Sequence, residues 1–111
     1  MKGIDFLANR EIVVVQGART PFGAYLGSLS NLTATDLAVI ASKEAIRRTQ
    51  IDPQDIDQAI FGNVIQSSSD AAYLARHVAL RSGMTKESTA ITINRLCGSG
   101  FQSILAAAEQ I

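Results

Sequence analysis

The chain has 111 residues, with 10 basic and 10 acidic side chains, one histidine and one cysteine. This length suits one domain, and the balanced charge gives no reason to expect a nucleic acid or an anionic membrane as a partner. A lone cysteine excludes an internal disulfide, one histidine beside it makes a poor transition-metal site, and no apolar run is long enough to span a bilayer.

The first predicted element is a strand over residues 11–16, which follows an N-terminal extension of residues 1–10. Its β-branched run has almost no polar interruption, which is typical of a strand buried on both faces. Pro21 and three glycines then predict a loop over residues 17–31.

A helix is expected to begin near Thr33, because Thr33 and Asp36 have the spacing of a capping box. Apolar residues recur at helical spacing after it. Arg47 and Arg48 fall in the last turn, where cations favour the helix dipole. An Asp-Pro pair then predicts a short helix over residues 52–57.

The alternation of strand and helix continues with a second buried strand over residues 59–65. Polar residues 67–70 predict a loop and a cap for the next helix. That helix should end near Gly83, because glycine is favoured just after a helix C-terminus. Its predicted apolar stripe consists of Ala71, Leu74, Ala75, Val78 and Ala79.

A third strand over residues 89–93 precedes the only cysteine, and a final helix begins at about residue 98. The alternating elements predict an α/β fold with a largely parallel sheet. The chain ends within this helix without a C-cap pattern, so we expect an incomplete domain. The predicted buried face of the final helix consists of Phe101, Ile104, Leu105 and Ala108.

Cys97 is the residue most suggestive of chemistry, because it lies between the end of a predicted strand and the start of a helix. Free N–H groups and the dipole at a helix N-terminus favour an anion, and the thiolate is the nucleophilic form of cysteine. Gly98 and Gly100 permit a tight turn and leave the sulfur unshielded. The pattern resembles a serine nucleophile elbow with cysteine in place of serine. The alternative is a structural cysteine, since free cysteine is often buried.

Four segments in order resemble the opening of a thiolase: RTPFGAY, TATDL, GNVIQSSSDAAYLARH and TINRLCGSGFQSI. The resemblance covers residues 11–111, which are therefore expected to be a truncated thiolase N-terminal domain. The third segment is most similar to 3-ketoacyl-CoA thiolases of the mitochondrial type, and acetyl-CoA acetyltransferases share most of the motifs.

The resemblance implies that Cys97 is the catalytic nucleophile. It would take the acyl group of a 3-ketoacyl-CoA and pass it to CoA, or join two acetyl-CoA molecules in the opposite direction. No metal or organic cofactor is implied, and the partners are acyl-CoA and CoA. The acid/base histidine and second cysteine of the family come later in its chains and are absent from this sequence. The segment alone is therefore expected to be inactive.

The resemblance also implies the fold and the assembly. The fold would be the βαβαβα front part of a thiolase-like half-domain, with a mixed, mostly parallel sheet flanked by helices and incomplete in this chain. The full-length protein would be a homodimer or homotetramer, with no nucleic acid or membrane partner. The N-terminal residues lack the apolar stretch of a secretory signal. We therefore expect a cytoplasmic protein, or one of the mitochondrial matrix if the source is eukaryotic.

Other polar residues have two interpretations each. His77 could be a base for Cys97, but a packing role on its helix is favoured. Ser99 could be a nucleophile, but a small residue at a helix start is favoured. Arg19 could bind a CoA phosphate or pin its loop, and Arg95 could raise the local potential or form an ion pair. Residues 67–70 are most simply a loop and cap.

Two further functions stay open from the sequence. The chain could be a non-catalytic interaction module or truncation product that retains the thiolase front. It could also belong to a ketoacyl-synthase-like condensing enzyme, although the motifs around Arg19 and Cys97 fit thiolases better.

Overall fold

The structure, a computed structural model, describes residues 10–111, and the extension predicted for residues 1–10 lies almost entirely outside them. Helices and strands alternate along the chain, which confirms the predicted α/β class. The helices are α1 (Ala34–Thr49), α2 (Leu74–Arg81) and α3 (Ser99–Gln110), the strands are β1 (Gln58–Gly62) and β2 (Thr89–Ile93), and two short 3₁₀ helices span Pro53–Asp55 and Ala71–Tyr73.

The sheet has two parallel strands, with Gln58 opposite Thr89 and Gly62 opposite Ile93. Parallel neighbours need a crossover connection, and α2 supplies it. The last ladder bond runs from the Asn63 N–H to the Ile93 carbonyl at 2.9 Å. The strand predicted over residues 89–93 is β2, with the same bounds. The strand predicted over residues 59–65 is β1, which ends earlier because the chain leaves the ladder after Asn63.

The strand predicted over residues 11–16 is wrong for this structure. These residues form no strand, and the side chain expected to be buried at Val14 is 86% exposed. Within residues 10–111, β1 pairs only with β2, so the other edge of β1 has no partner. Residues 12–17 instead border a cavity of about 500 Å³ that is also lined by Ile60 and by α3. The apolar run therefore lies near the sheet without joining it.

The start of α1 confirms the capping box. The Asp36 N–H donates to the Thr33 hydroxyl oxygen at 3.1 Å, and the Thr33 N–H donates to the Asp36 carboxylate at 2.9 Å. In the last turn, Arg47 and Arg48 both pair with Glu44, at 2.8 and 2.7 Å. The predicted short helix is also present, with Asp52 as its N-cap.

The core lies between α1, α2 and the sheet. The predicted stripe of α2 is confirmed, since Ala71, Leu74, Ala75, Val78 and Ala79 are all buried. Val78 and Leu74 pack with Val39 of α1, while Ala79 packs with Ala59 of β1 and with Met84.

The end of α2 confirms the role predicted for Gly83, which has a φ of 99°. The Gly83 N–H donates to the Leu80 carbonyl at 3.2 Å, and the Met84 N–H donates to the Ala79 carbonyl at 3.1 Å. This pair of bonds is a Schellman motif, and the contact of Met84 with Ala79 supplies its apolar component.

The buried face predicted for α3 is wrong in this structure. Phe101 is 75% exposed, Ile104 and Leu105 are also exposed, and Ala108 is only partly buried. Within the described chain, Ser99 is the only buried residue of α3. The beginning of the helix packs against Gly62 of β1, and further along Ile104 and Ala108 border the same open cavity as Ile60, which leaves the apolar stripe uncovered.

Candidate active site

Cys97 lies in the short connection from β2 to α3. The strand ends at Ile93, the helix begins at Ser99, and the thiol is free and exposed. The predicted strand–turn–helix setting is therefore present, and the alternative of a buried structural cysteine does not fit an exposed thiol. An exposed sulfur in this setting is accessible to a carbonyl substrate.

The residue before the cysteine has an unusual backbone. Leu96 has a φ of 47°, in the left-handed region that leucine rarely adopts. Its N–H donates to Asn94 Oδ1 at 2.9 Å. Its carbonyl accepts hydrogen bonds from the Ser99 hydroxyl at 2.6 Å and from the Ser99 N–H at 3.0 Å. Side chains on both sides of the turn thus hold this conformation.

The first turn of α3 offers hydrogen-bond donors beside the cysteine. Gly98 is the N-cap and has no side chain with which to cap the helix. Within residues 10–111, the backbone N–H groups of Gly100 and Phe101 donate no hydrogen bond, as is usual for the first turn of a helix. Such donors, together with the helix dipole, stabilise negative charge on a nearby sulfur or carbonyl oxygen.

The end of β1 fixes where this turn sits. A Cβ on Gly62 would lie 2.6 Å from the Ser99 carbonyl carbon and 2.7 Å from the Ser99 oxygen. Only glycine permits this approach of strand to helix backbone. The Asn94 side-chain amide also donates to the Val64 carbonyl at 3.4 Å, so the loop after β1 contacts the turn as well.

His77 lies among residues at the start of its own helix. Its Nδ1 is 3.6 Å from Asp70 Oδ2, and its ring stacks on Tyr73 with the centroids 6.2 Å apart. The Ser68 hydroxyl donates to Asp70 at 2.5 Å and lowers the pKa of that carboxyl. These contacts favour the packing role for His77 over the role of a base. The residues predicted as a cap supply no side-chain cap bond, although Asp70 is the N-cap of the 3₁₀ helix.

The remaining predicted residues have local partners. Ser99 is 4% exposed and its hydroxyl accepts from the Arg95 N–H at 2.8 Å, which argues against a nucleophile. Arg19 lies over the Phe22 ring, 5.3 Å from its centroid, and donates to the Thr20 carbonyl at 3.4 Å, which favours the role of pinning its loop. The Arg95 guanidinium donates to the Gln102 side-chain oxygen, and the ion pair, one of the two roles predicted for Arg95, is not formed within the described residues.

Sequence reasoning missed Asn94 and Gly62, both of which contact the cysteine turn. A short polar residue directly after a strand is a weak indication of a side-chain-to-backbone bond. A glycine at the end of a strand pattern is a weak indication of close backbone approach. Each pattern has several explanations, and only the fold identifies which one applies.

Neither a metal cluster nor a membrane-spanning helix occurs in the described part of the chain. Residues 10–111 contain no group of three or more histidine, cysteine or acidic side chains that could hold a metal ion. None of their helices combines the length and apolarity needed to cross a bilayer.

Comparisons with known proteins all identify the same family. A model described as the thiolase N-terminal domain matches residues 12–111. The mitochondrial 3-ketoacyl-CoA thiolase of Homo sapiens is 57% identical over 102 residues, which are 92% of this chain and 26% of that protein. The beta-ketothiolase BktB of Cupriavidus necator is 43% identical over 103 residues, which are 93% of this chain and 26% of that protein.

A solved structure agrees with these sequence matches. The crystal structure of human mitochondrial 3-ketoacyl-CoA thiolase in complex with CoA superposes with a TM-score of 0.84 at 57% identity. The match covers 86% of this chain and 24% of that one. The chain thus spans about a quarter of the length of the relatives it matches.

Proposed function

This chain belongs to the thiolase family, and from that premise we propose that it is the nucleophile-bearing segment of an acyltransferase acting on coenzyme A thioesters. Cys97 would be the residue that carries the acyl group. The observation that supports this most is the position of the only cysteine. It is exposed, it precedes α3, and it lies within the residues that match the thiolase N-terminal domain.

In the proposed reaction the Cys97 thiolate attacks the keto carbonyl carbon of a 3-ketoacyl-CoA. The bond between that carbon and C2 breaks, and its electron pair goes to C2, which takes a proton and leaves as acetyl-CoA. The sulfur of a second CoA, having lost its proton, then attacks the acyl-Cys97 thioester. This releases a shortened acyl-CoA and regenerates the thiolate. Two half-reactions that share one acyl-enzyme give ping-pong kinetics.

The opposite direction uses the same intermediate. Acetyl-CoA would acetylate Cys97 and release CoA, and the C2 carbanion of a second acetyl-CoA would attack that acetyl group to give acetoacetyl-CoA. The free N–H groups of Gly100 and Phe101 support this proposal, since such donors stabilise charge on an oxygen or sulfur during acyl transfer. No cofactor is part of the proposal, because every bond change involves only the cysteine and coenzyme A thioesters.

We propose that the 111 residues alone do not turn over thioesters. Both half-reactions move protons on and off carbon and sulfur, and a positioned acid or base typically contributes ~10²–10⁴ in rate. The one histidine of the chain contacts Asp70 and Tyr73. With its histidine engaged there, and without the later histidine and second cysteine of the family, the segment would be acylated slowly and the acyl-enzyme would stall.

We also propose an oligomeric state and a cellular compartment for the protein. Within residues 10–111 one edge of β2 has no partner, and this strand is short, β-branched and uncharged, which supports pairing with a second copy in a homodimer or homotetramer. The mitochondrial relatives support the mitochondrial matrix for a eukaryotic source, with the cytoplasm as the alternative.

A chimera provides the test. Residues 12–111 would replace the matching segment of human mitochondrial 3-ketoacyl-CoA thiolase, to which the chain is 57% identical over 102 residues. The chimera should cleave acetoacetyl-CoA with free CoA at an ordinary enzyme rate of ~10 s⁻¹. Cys97→Ala should abolish the cleavage, whereas Ser103→Ala, in the helix that follows Cys97, should leave it unchanged.

Two outcomes would contradict the proposal. Turnover that persists in the Cys97→Ala chimera would show that Cys97 is not the nucleophile. A folded chimera without turnover would favour the non-catalytic alternative. The condensing-enzyme alternative receives no support from the relatives reported above, which are thiolases.

A further inference from the structure

We propose that Ser99 is a positioning residue for acyl transfer at Cys97. Its hydroxyl would hold Leu96 in the left-handed conformation and thereby fix the sulfur at the start of α3. This inference rests on the proposed function of Cys97, and it adds a residue to which neither the family resemblance nor the comparisons assign a role.

The conformation of Leu96 needs a cause. A leucine with a φ of 47° is unfavourable, because its Cβ crowds the following carbonyl, and it persists only where the surroundings over-determine it. Gln50, also left-handed with a φ of 58°, is explained as a helix C-cap whose N–H donates to the Ile46 carbonyl. Leu96 caps no helix C-terminus. The Gly98 N–H closes the turn across it by donating to the Arg95 carbonyl at 3.0 Å, and the surrounding side chains add the remaining bonds that hold its conformation.

Ser99 makes the contacts that over-determine this turn. Its hydroxyl oxygen accepts from the Arg95 N–H at 2.8 Å and the same hydroxyl donates to the Leu96 carbonyl at 2.6 Å. One buried hydroxyl thus bonds two backbone groups, one before and one after the peptide bond that joins Arg95 to Leu96. Asn94 adds a third bond, to the Leu96 N–H at 2.9 Å.

Ser99 is itself immobilised by the sheet. The backbone of Ser99 lies against Gly62 at the end of β1, where no Cβ could fit. The path from the sheet to the sulfur is therefore short: Gly62 locates Ser99, Ser99 holds Leu96, and Leu96 precedes Cys97. Loss of the hydroxyl would leave the Arg95 N–H without that partner and allow Leu96 to return to a negative φ. Cys97 would then turn away from the free N–H groups of α3.

The test measures alkylation of Cys97 by iodoacetamide in the full chain. Cys97 is the only cysteine, so the rate reports on this site alone. The rate in buffer is divided by the rate in concentrated urea, which cancels the intrinsic reactivity of the thiol. Ser99→Ala should lower this ratio by about three- to tenfold, the loss expected when hydrogen bonds of ordinary net strength are removed. The unfolding midpoint of each variant is measured in parallel.

Ser103→Ala is the matched control, because the Ser103 hydroxyl also donates to a carbonyl three residues earlier, Gly100, at 2.6 Å. It removes the same kind of bond one turn further along α3 and should leave the ratio unchanged. Adding Leu96→Gly to Ser99→Ala should restore the ratio, because glycine adopts a positive φ without support. A merely stabilising role would not be rescued in this way.

Asn94→Ala serves if Ser99→Ala does not fold, and it should show a smaller loss with the same rescue by Leu96→Gly. Equal ratios for Ser99→Ala and Ser103→Ala, or a loss that Leu96→Gly does not recover, would overturn the proposal. The proposed function can fail separately. Suppose that alkylation depends on Ser99 as expected but that the wild-type chain accepts no acyl group from acetoacetyl-CoA. This result would refute acyl transfer and leave the positioning of Cys97 intact.

Discussion

At the scale of single residues, the position of Cys97 depends on Gly62, which belongs to β1. Gly62 ends β1 directly against the Ser99 backbone, and the space there is too small for a methyl group. The cysteine turn is thus braced by the sheet as well as by its own hydrogen bonds. Leu96 and Asn94 complete the arrangement from within the turn.

Gly62→Ala should therefore disturb both stability and reactivity. Its Cβ would lie 2.6 Å from backbone atoms of Ser99, and such overpacking typically costs about 1–3 kcal/mol. We expect a lower urea midpoint together with slower alkylation of Cys97. Gly100→Ala is the control, since a Cβ there meets nothing within 4 Å and alanine favours a helix. Similar midpoints for the two variants would refute the close packing of β1 against α3.

Some residues could be identified from the sequence and others could not. The capping pair Thr33 and Asp36 and the turn around Cys97 were predictable, because their partners lie within a few residues. Gly62 was not predictable, because the atoms that exclude a side chain there belong to Ser99, on a different element. The left-handed Leu96 was also missed, since leucine carries no intrinsic preference for that conformation.

At the scale of elements, α1 and α2 are joined by an ion pair at their ends. The Arg81 guanidinium donates to the Asp36 carboxylate at 2.8 Å. Asp36 also accepts the Thr33 N–H, and these bonds, that of Thr33 first, lower its pKa from 3.8 to about 2. The carboxylate therefore links the cap of one helix to the last turn of another.

This link predicts acid sensitivity. Between pH 3.8 and about 2 the unfolded chain binds a proton at Asp36 that the folded chain does not. Stability therefore rises with pH through this window, is complete above it, and is lost as pH falls towards 2. In urea titrations Asp36→Asn should flatten the pH dependence. A residual slope should remain from Glu44, whose pKa is lowered to about 2 by Arg47 and Arg48, and from Asp70, whose pKa the Ser68 hydroxyl lowers.

Glu87→Gln, at an exposed turn, is the control and should leave the acid slope unchanged. An unchanged slope in Asp36→Asn would show that the bonds of Asp36 do not persist in solution.

The accuracy of the predicted elements follows from where their partners lie. The stripe of α2 was predictable because its period is visible in the sequence and both α1 and the sheet are present to cover it. The predictions of a strand at residues 11–16 and of a buried face on α3 were wrong. An apolar pattern shows which residues can be buried, but it does not show which element covers them. No element within residues 10–111 covers these two surfaces.

At the scale of the whole molecule, exposed apolar surface predicts self-association. Phe101, Ile104 and Leu105 of α3 are exposed, and one edge of β2 is unpaired in the part of the chain that the structure describes. Contiguous apolar patches of this kind mark interfaces or aggregation sites. Light scattering should show species larger than a monomer, and Phe101→Lys should reduce their size.

Tyr73→Lys is the control, because Tyr73 is also highly exposed but lies beside α2. A compact monomer at all concentrations, or equal effects of the two lysine variants, would count against association through α3.

The proposed role of Cys97 as the acyl-carrying nucleophile of this thiolase-family chain is tested most directly by the mass of the protein after incubation with acetoacetyl-CoA. We expect a single acetyl adduct that peptide mapping places on Cys97, that forms slowly, and that is absent from Cys97→Ala. Added CoA should remove it without sustained turnover, since thiolysis regenerates the thiol but no acid or base in these residues assists. A chain that gains no adduct, or that gains one elsewhere while Cys97 stays free, would contradict the account.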